Sequence, residues 1–246
     1  MLRTYTADLH IHSCLSPCGD LEMSPKKITA HVSRGGIDII ALTDHNTAEN
    51  VSAVLKASRD SNVTVLPGME VCSREEIHVL AIFERARAAL ALQSLVYDNL
   101  PGVNNEEAFG LQVVANEHDE VERLQNKLLI GATELTVEQV VDAIHQMNGL
   151  AIAAHIDRES YSVIGQLGFI PETVRFDALE ISSQTTYAEA RKRFSAYGGY
   201  TMLKASDAHR VDDIGKATSA FVLEAPVFPE IVKAVHNRDG RSVTVN

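Results

Sequence analysis

The chain has 246 residues, of which 45% are hydrophobic and 22% charged, and its 22 basic and 33 acidic side chains give a formal net charge of −11. This balance excludes a disordered chain, and it argues against a protein built to grip long nucleic acid, which needs clustered Lys and Arg. One α/β domain over residues 1–246 accommodates the length. Three cysteines, Cys14, Cys18 and Cys72, supply no disulfide framework. The first eight residues lack the apolar stretch of a signal peptide, and no apolar run approaches the ~18 residues that span a bilayer. The expected location is the cytoplasm.

Short apolar runs alternate with helical patterns along the chain. A strand over residues 4–10 ends in Asp8-Leu9-His10-Ile11-His12, where period-two alternation places Asp8, His10 and His12 on one face. Ser24-Pro25 opens a helix that Gly35-Gly36 closes. The strand at 37–43 runs into Thr43-Asp44-His45-Asn46, and Asn46 is placed to cap the next helix, with Glu49 three residues on and Val51, Val54 and Leu55 along one stripe. Strands at 63–69 and 77–83 follow; the first leads to Glu70 and the second contains His78.

Residues 98–134 break the rhythm. They predict a hairpin, 111–116 with 121–124, turning at Glu117-His118-Asp119-Glu120, and form a peripheral insertion too short for a core of its own. Thr136 and Gln139 match a capping box ahead of the stripe Val137, Val140, Val141, Ile144 and Met147, which Gly149 ends. Strands at 150–154, 178–181 and 201–205 come next; the first runs into His155-Ile156-Asp157-Arg158 and the last into Ser206-Asp207-Ala208-His209. Pro229 opens a final helix with Ile231, Val232 and Val235 on its apolar side. Repeated strand–helix units predict a mainly parallel sheet or barrel. In such a barrel the C-terminal strand ends meet at one mouth.

Ten histidines are present. His31, His145, His118 and His236, in helices or at the hairpin tip, fit ordinary surface or core roles. The strand-end set, His10, His12, His45, His78, His155 and His209 with Glu70 and Asp207, does not, because each buried imidazole needs a polar partner. Imidazole mixed with carboxylate is a first-row transition-metal environment.

Asp8-Leu9-His10-Ile11-His12-Ser13, Thr43-Asp44-His45-Asn46, His155 and Ser206-Asp207-Ala208-His209 resemble the four ordered motifs of the PHP (polymerase and histidinol phosphatase) family, over residues 7 to about 210. The resemblance implies a distorted (β/α)7 barrel with two or three divalent ions, and Mn²⁺, Fe²⁺ and Zn²⁺ all suit such ligands. Carried over by position, His10, His12, Glu70 and Asp207 surround one ion; Glu70 bridges to a second, completed by His78 and His155. His45, His209 and one ligand from the loop after the first strand hold a third. Many members have Ser-Asp-Gly in that loop, whereas this chain reads Ser16-Pro17-Cys18-Gly19-Asp20. Asp20 is expected to supply the carboxylate, with Cys18 as the alternative, while Cys14 and Cys72 read as small buried residues.

Such a site implies hydrolysis of a small phosphate ester, a nucleotide or similar phosphomonoester, by metal-activated water, with Glu70 and Asp207 as its catalytic carboxylates. The ions' charge would draw a phosphate dianion despite the acidic chain. An exonuclease acting on short oligonucleotides, or a non-catalytic metal-binding barrel, is the alternative. An amidohydrolase would place a lysine where this chain has Glu70. Asp8 and Asp44 are placed to orient imidazoles, although Asp44 equally suits a helix cap. Arg158, three residues after His155, can clamp phosphate bidentately or pair with Asp157 or Glu159. The expected partner is a small phosphorylated substrate, with neither a membrane nor long nucleic acid.

Overall fold

The computed structural model describes residues 1–245. In chain order its elements are β1 (Arg3–Ile11), α1 (Pro25–Gly35), β2 (Ile39–Leu42), α2 (Val51–Ala57), β3 (Thr64–Cys72), β4 (His78–Ile82), α3 (Ala86–Asp98), α4 (Glu106–Phe109), β5 (Val113–Ala115) and β6 (Val121–Leu124). They continue with α5 (Val137–Gln146), β7 (Leu150–Ala153), α6 (Val163–Leu167), β8 (Ala178–Ile181), α7 (Tyr187–Arg193), β9 (Thr201–Lys204), β10 (Ser219–Leu223), α8 (Phe228–Val235) and β11 (Ser242–Val245). Nine strands form one sheet in the order β11-β10-β1-β2-β3-β4-β7-β8-β9. The edge strand β11 comes back against β9, so the sheet curls into a nearly closed barrel.

Two apolar layers hold it. Alternate strand residues, among them Ala7, Leu9, Leu66, Leu80, Ile152, Ala178 and Leu203, fill the barrel interior together with Phe228, Ile231 and Ala234 of α8, which plugs one end. The opposite strand faces pack against Ile28 and Val32 of α1, Val51 and Val54 of α2, and Val140 and Ile144 of α5. Strands β2, β4, β7 and β8 are buried along their whole length, as expected when helices cover one face and a filled barrel the other. The capping box Thr136–Gln139 forms as predicted, and Gly36, at φ 70°, ends α1 in the left-handed region. Among the described residues no helix is long and apolar enough to cross a membrane.

The structure corrects three expectations. The sheet is mixed rather than mainly parallel: β1–β2–β3 and β7–β8–β9 run parallel, but β4 is antiparallel to both neighbours and β10 and β11 run antiparallel at the edge. No helix separates β3 from β4, so the chain turns back as a hairpin instead of crossing over. Asn46 is not a cap. Asn50 holds that position at α2, while the Asn46 amide donates to the Leu129 and Gly131 carbonyls at 2.9 and 2.8 Å and accepts from Cys72 N–H at 3.0 Å. Finally, Asp8 does not share a face with His10. A β-bulge shifts the β1–β2 register between Asp8 and Ile11, and a bulge inserts one residue and re-aims the side chains beyond it.

The hairpin β5–β6 forms at its predicted place. Its inner strand packs Val113 and Ala115 against Cys14, and Asn50 ties it down, donating to Val113 O and accepting from Ala115 N–H.

Candidate metal centre

The bulge in β1 has a direct consequence at the barrel mouth. It turns His10 and His12 inward together, so their Nε2 atoms lie 3.1 Å apart. Glu70, near the end of β3, stands at the centre of the group. Its Oε1 is 2.8 Å from His78 Nδ1 and 3.3 Å from both His10 Nε2 and His155 Nε2. Its Oε2 is 2.9 Å from His45 Nδ1 and 3.4 Å from His12 Nε2. Asp207 Oδ1 lies 3.2 Å from each of His10 Nε2 and His12 Nε2 and 3.6 Å from His209 Nδ1. The reversal of β4 explains why His78 joins: a residue at the start of an antiparallel strand sits at the same end as the termini of its neighbours.

Of the nine expected ligands the structure therefore brings together eight: His10, His12, His45, Glu70, His78, His155, Asp207 and His209. Asp20 stays outside. It is exposed, its Oδ1 accepts from Glu22 N–H at 2.9 Å, and it lines a separate surface pocket with Lys26 and Arg34. Cys18, on the same loop, is exposed and lies near His209 and His45. Desolvation opposes its thiolate, but these two histidines bring the thiol down to about 6.

The surroundings fix the ring orientations. Glu180 of β8, which the sequence reading passed over, accepts from His10 Nδ1 at 3.1 Å while almost wholly buried. A lone carboxylate in the apolar strand Ala178-Leu179-Glu180-Ile181 was the available signal, because a buried charge needs a partner. Asp44 acts on His12 through a relay: it accepts from Ser16 Oγ at 2.7 Å, and that hydroxyl meets His12 Nδ1 at 2.9 Å. Asp8 touches no imidazole. It accepts from Ser206 and Gly215 N–H at 3.0 and 2.9 Å and so anchors the loop that carries Asp207, while burial pushes its own carboxyl up to about 6. His155 and Asp207 adopt φ values of 30° and 51°, a region that costs a non-glycine residue of order 1–3 kcal/mol and that concentrates at functional sites.

The donor set fits divalent metal. Each neutral imidazole has one N–H to donate, and several ring nitrogens converge here on the same few partners. The buried atoms Glu70 Oε2, His78 Nδ1 and His155 Nδ1 have no hydrogen-bond partner among the described residues. Three groups, His12–His45–His209, His10–His12–Glu70 and His45–Glu70–His78, each bring their ligand atoms within 4.8 Å of one another. Burial works against charge on Glu70 and Asp207, yet the surrounding histidines hold both well below the usual carboxylate range. Burial keeps His12 and His78 low, in the neutral form that binds metal. It also opposes charge on His10, but Glu180, Asp207 and Glu70 outweigh it and raise that imidazole. The carboxylates thus draw positive charge into the cluster, as protons or as cations.

Beside the cluster opens a cavity of about 530 Å³, lined by His45, Glu70, His155, Asp207 and His209 together with Arg158 and Tyr161. Arg158 pairs with Asp207 Oδ2 at 2.7 Å, not with Asp157 or Glu159. Tyr161 stacks on His78 at 4.6 Å.

A family model described as PHP domain matches residues 8–192. An uncharacterized protein of Methanocaldococcus jannaschii is 32% identical over 77 residues, 28% of this chain and 45% of that protein. Among solved structures, the lesion-specific endonuclease Q of Pyrococcus furiosus has a TM-score of 0.78 at 20% identity, covering 98% of this chain and 58% of its own. A two-domain Bacteroides vulgatus protein containing a predicted PHP-like metal-dependent phosphoesterase has a TM-score of 0.61 at 14% identity, with coverage of 100% and 66%. The chain spans less than two thirds of the length of each of these proteins.

Proposed function

The chain belongs to the PHP domain family of metal-dependent phosphoester hydrolases, and on that premise we propose that it hydrolyses a small phosphomonoester, such as a nucleotide. The observation that carries this reading is the cavity beside the cluster, of a size that takes one small molecule and holding the cation Arg158. His10, His12, Glu70 and Asp207 would hold one ion, Glu70 with His78 and His155 a second, and His45 with His209 a third. Bound ions supply Lewis acidity and a water of lowered pKa. Glu70 presents its two oxygens to different histidine groups, as a carboxylate shared between two ions would. Because Glu70 and Asp207 stay ionised, their contribution is charge and coordination rather than proton donation. Arg158, swung from Asp207 toward the cavity, grips the phosphate through paired N–H donors.

Likeness to a lesion-specific endonuclease along 98% of the chain favours a second reading, cleavage of damaged nucleic acid. The net charge of −11 weighs against it, since backbone contacts need many cations. Metal-loaded protein assayed on mononucleotides, 3′,5′-bisphosphates and sugar phosphates, beside 5′-phosphorylated oligonucleotides and lesion-containing duplex, separates the two. Phosphate release from a monoester is expected. Scission of the duplex with inert monoesters would move the assignment to the second reading, and inactivity on every ester would overturn both.

A further inference from the structure

We propose that Tyr161 is the specificity-determining residue of the cavity: the open face of its ring stacks the planar base of a nucleotide whose phosphate lies at the metal cluster. The inference rests on the phosphomonoester reading above and deepens it, by naming the nucleobase as the part of the substrate that this chain recognises.

The loop after β7 builds the subsite. Arg158 N–H donates to His155 O at 3.0 Å, and Ser162 Oγ donates to Arg158 O at 2.6 Å while accepting from Gly165 N–H at 2.9 Å. Ser162 is fully buried, and a Cβ on Gly165 would overlap the Glu159 carbonyl, so the chain folds back tightly over residues 155–165. Within this turn Tyr161 has φ 58°, a conformation that bulky residues rarely adopt. Its carbonyl, which accepts from His78 N–H at 3.0 Å, holds it there. Backbone strain of this kind concentrates at ligand clamps.

What the strained turn displays is an aromatic ring. One face lies on His78, with centroids 4.6 Å apart and planes inclined by 23°. Tyr161 is nevertheless 41% exposed, so the other face is open, and it lines the same cavity as Arg158. Ile130 is the one other apolar side chain in that lining, and the Asn46 amide fixes the carbonyls on either side of it, those of Leu129 and Gly131. A sugar phosphate has no flat surface to set against such a ring, whereas a nucleobase has. Every base has a π-face, so the subsite reads the presence of a base more than its identity.

Adenosine 5′-monophosphate (AMP) and ribose 5-phosphate share sugar and phosphate and differ in the base. With metal-loaded protein, AMP should have the higher kcat/KM. Tyr161→Leu should lower the ratio of the two kcat/KM values about 5- to 150-fold, the range for loss of one base–aromatic stack, with metal content retained. Tyr161→Phe, which keeps the ring, should keep the ratio. Binding is read without turnover in Tyr161→Trp, because the chain has no other tryptophan: AMP should quench its fluorescence and ribose 5-phosphate should not. An unchanged ratio in Tyr161→Leu, loss of its metal, or a tryptophan that AMP leaves unquenched overturns the assignment. If both esters are hydrolysed equally well by the parent, the phosphomonoester reading stands and the base subsite falls. If AMP quenches the tryptophan and no ester is turned over, it is the reaction that falls.

Discussion

Two groups of histidine and carboxylate stand at opposite ends of this barrel and behave differently. At the mouth, Glu70 meets five imidazoles, all buried, with polar atoms left unpaired. At the other end, Asp177 takes His145 at 2.9 Å and His236 at 3.3 Å, both about one third exposed, and also accepts from Ala151 N–H at 2.8 Å. Both contain the same residue types. The rear group is complete as it stands: each ring has a carboxylate oxygen of its own, and water reaches the rest. At the mouth several nitrogens crowd one carboxylate where solvent cannot help. Convergence and burial, rather than the presence of His and Asp, separate a metal centre from an ion pair that ties α5 and α8 to the barrel.

The sharpest way to break this contrast is to remove one carboxylate from each group. Glu70→Gln should abolish metal binding and hydrolysis together, by more than about 100-fold, since even outer partners of metal ligands cost 10–100-fold. Asp177→Asn should leave both untouched; metal analysis and kcat/KM read the difference, and a Glu70→Gln protein that keeps its metals would erase the distinction. Arg158→Ala should preserve metal content and lower kcat/KM by about 1.5–3 kcal/mol, the range for a charge-assisted hydrogen bond; parental kinetics in that variant would remove it from substrate binding. Glu180→Gln, which leaves His10 without its charged partner, should weaken metal affinity about 10–100-fold by titration, and unchanged affinity would reduce Glu180 to packing.

The smallest effect belongs to the rear group. The hydrogen bond to Asp177 raises His145 above its ordinary 6.5. A raised histidine stabilises the fold fully below its unfolded pKa, and that stabilisation fades as pH climbs through the folded value. His145→Gln should therefore lose at most about 1 kcal/mol, as its exposure screens the pair. The loss should show in denaturant titrations below pH 6.5 and shrink as pH climbs above it; an equal loss across the range would assign it to packing.

Local chemistry made much of this legible. Strand ends marked the eight side chains that converge at the mouth because a polar side chain directly after an apolar run has few structural reasons to be there. The capping box at Thr136 and the hairpin turn at residues 117–120 were readable because their signals lie within four residues. The features that escaped reading depend on distant parts of the chain. Strand direction at β4 is set by the neighbour it pairs with, and the bulge in β1 arises from register with β2. Asn46 looked like a cap because its partners, Leu129 and Gly131, are 83 and 85 residues away. The outward course of Asp20, whose N–H is fixed to His209 O, was hidden for the same reason.

The order in which the mouth assembles is dictated by where its parts lie along the chain. Glu70 and His78 belong to one hairpin, β3–β4, and meet early at little entropic cost. Asp207 arrives only when Asp8 captures Ser206 N–H across a separation of 198 residues, and long loops close late. The unfolded chain therefore holds no complete set of ligands, and an ion that needs both ends binds only after the barrel has shut. Such an ion acts as a clasp on the finished fold, adding RT ln(1 + [M]/Kd) to its stability. Metal supply would then govern not only how fast this protein works but how long each molecule survives unfolding.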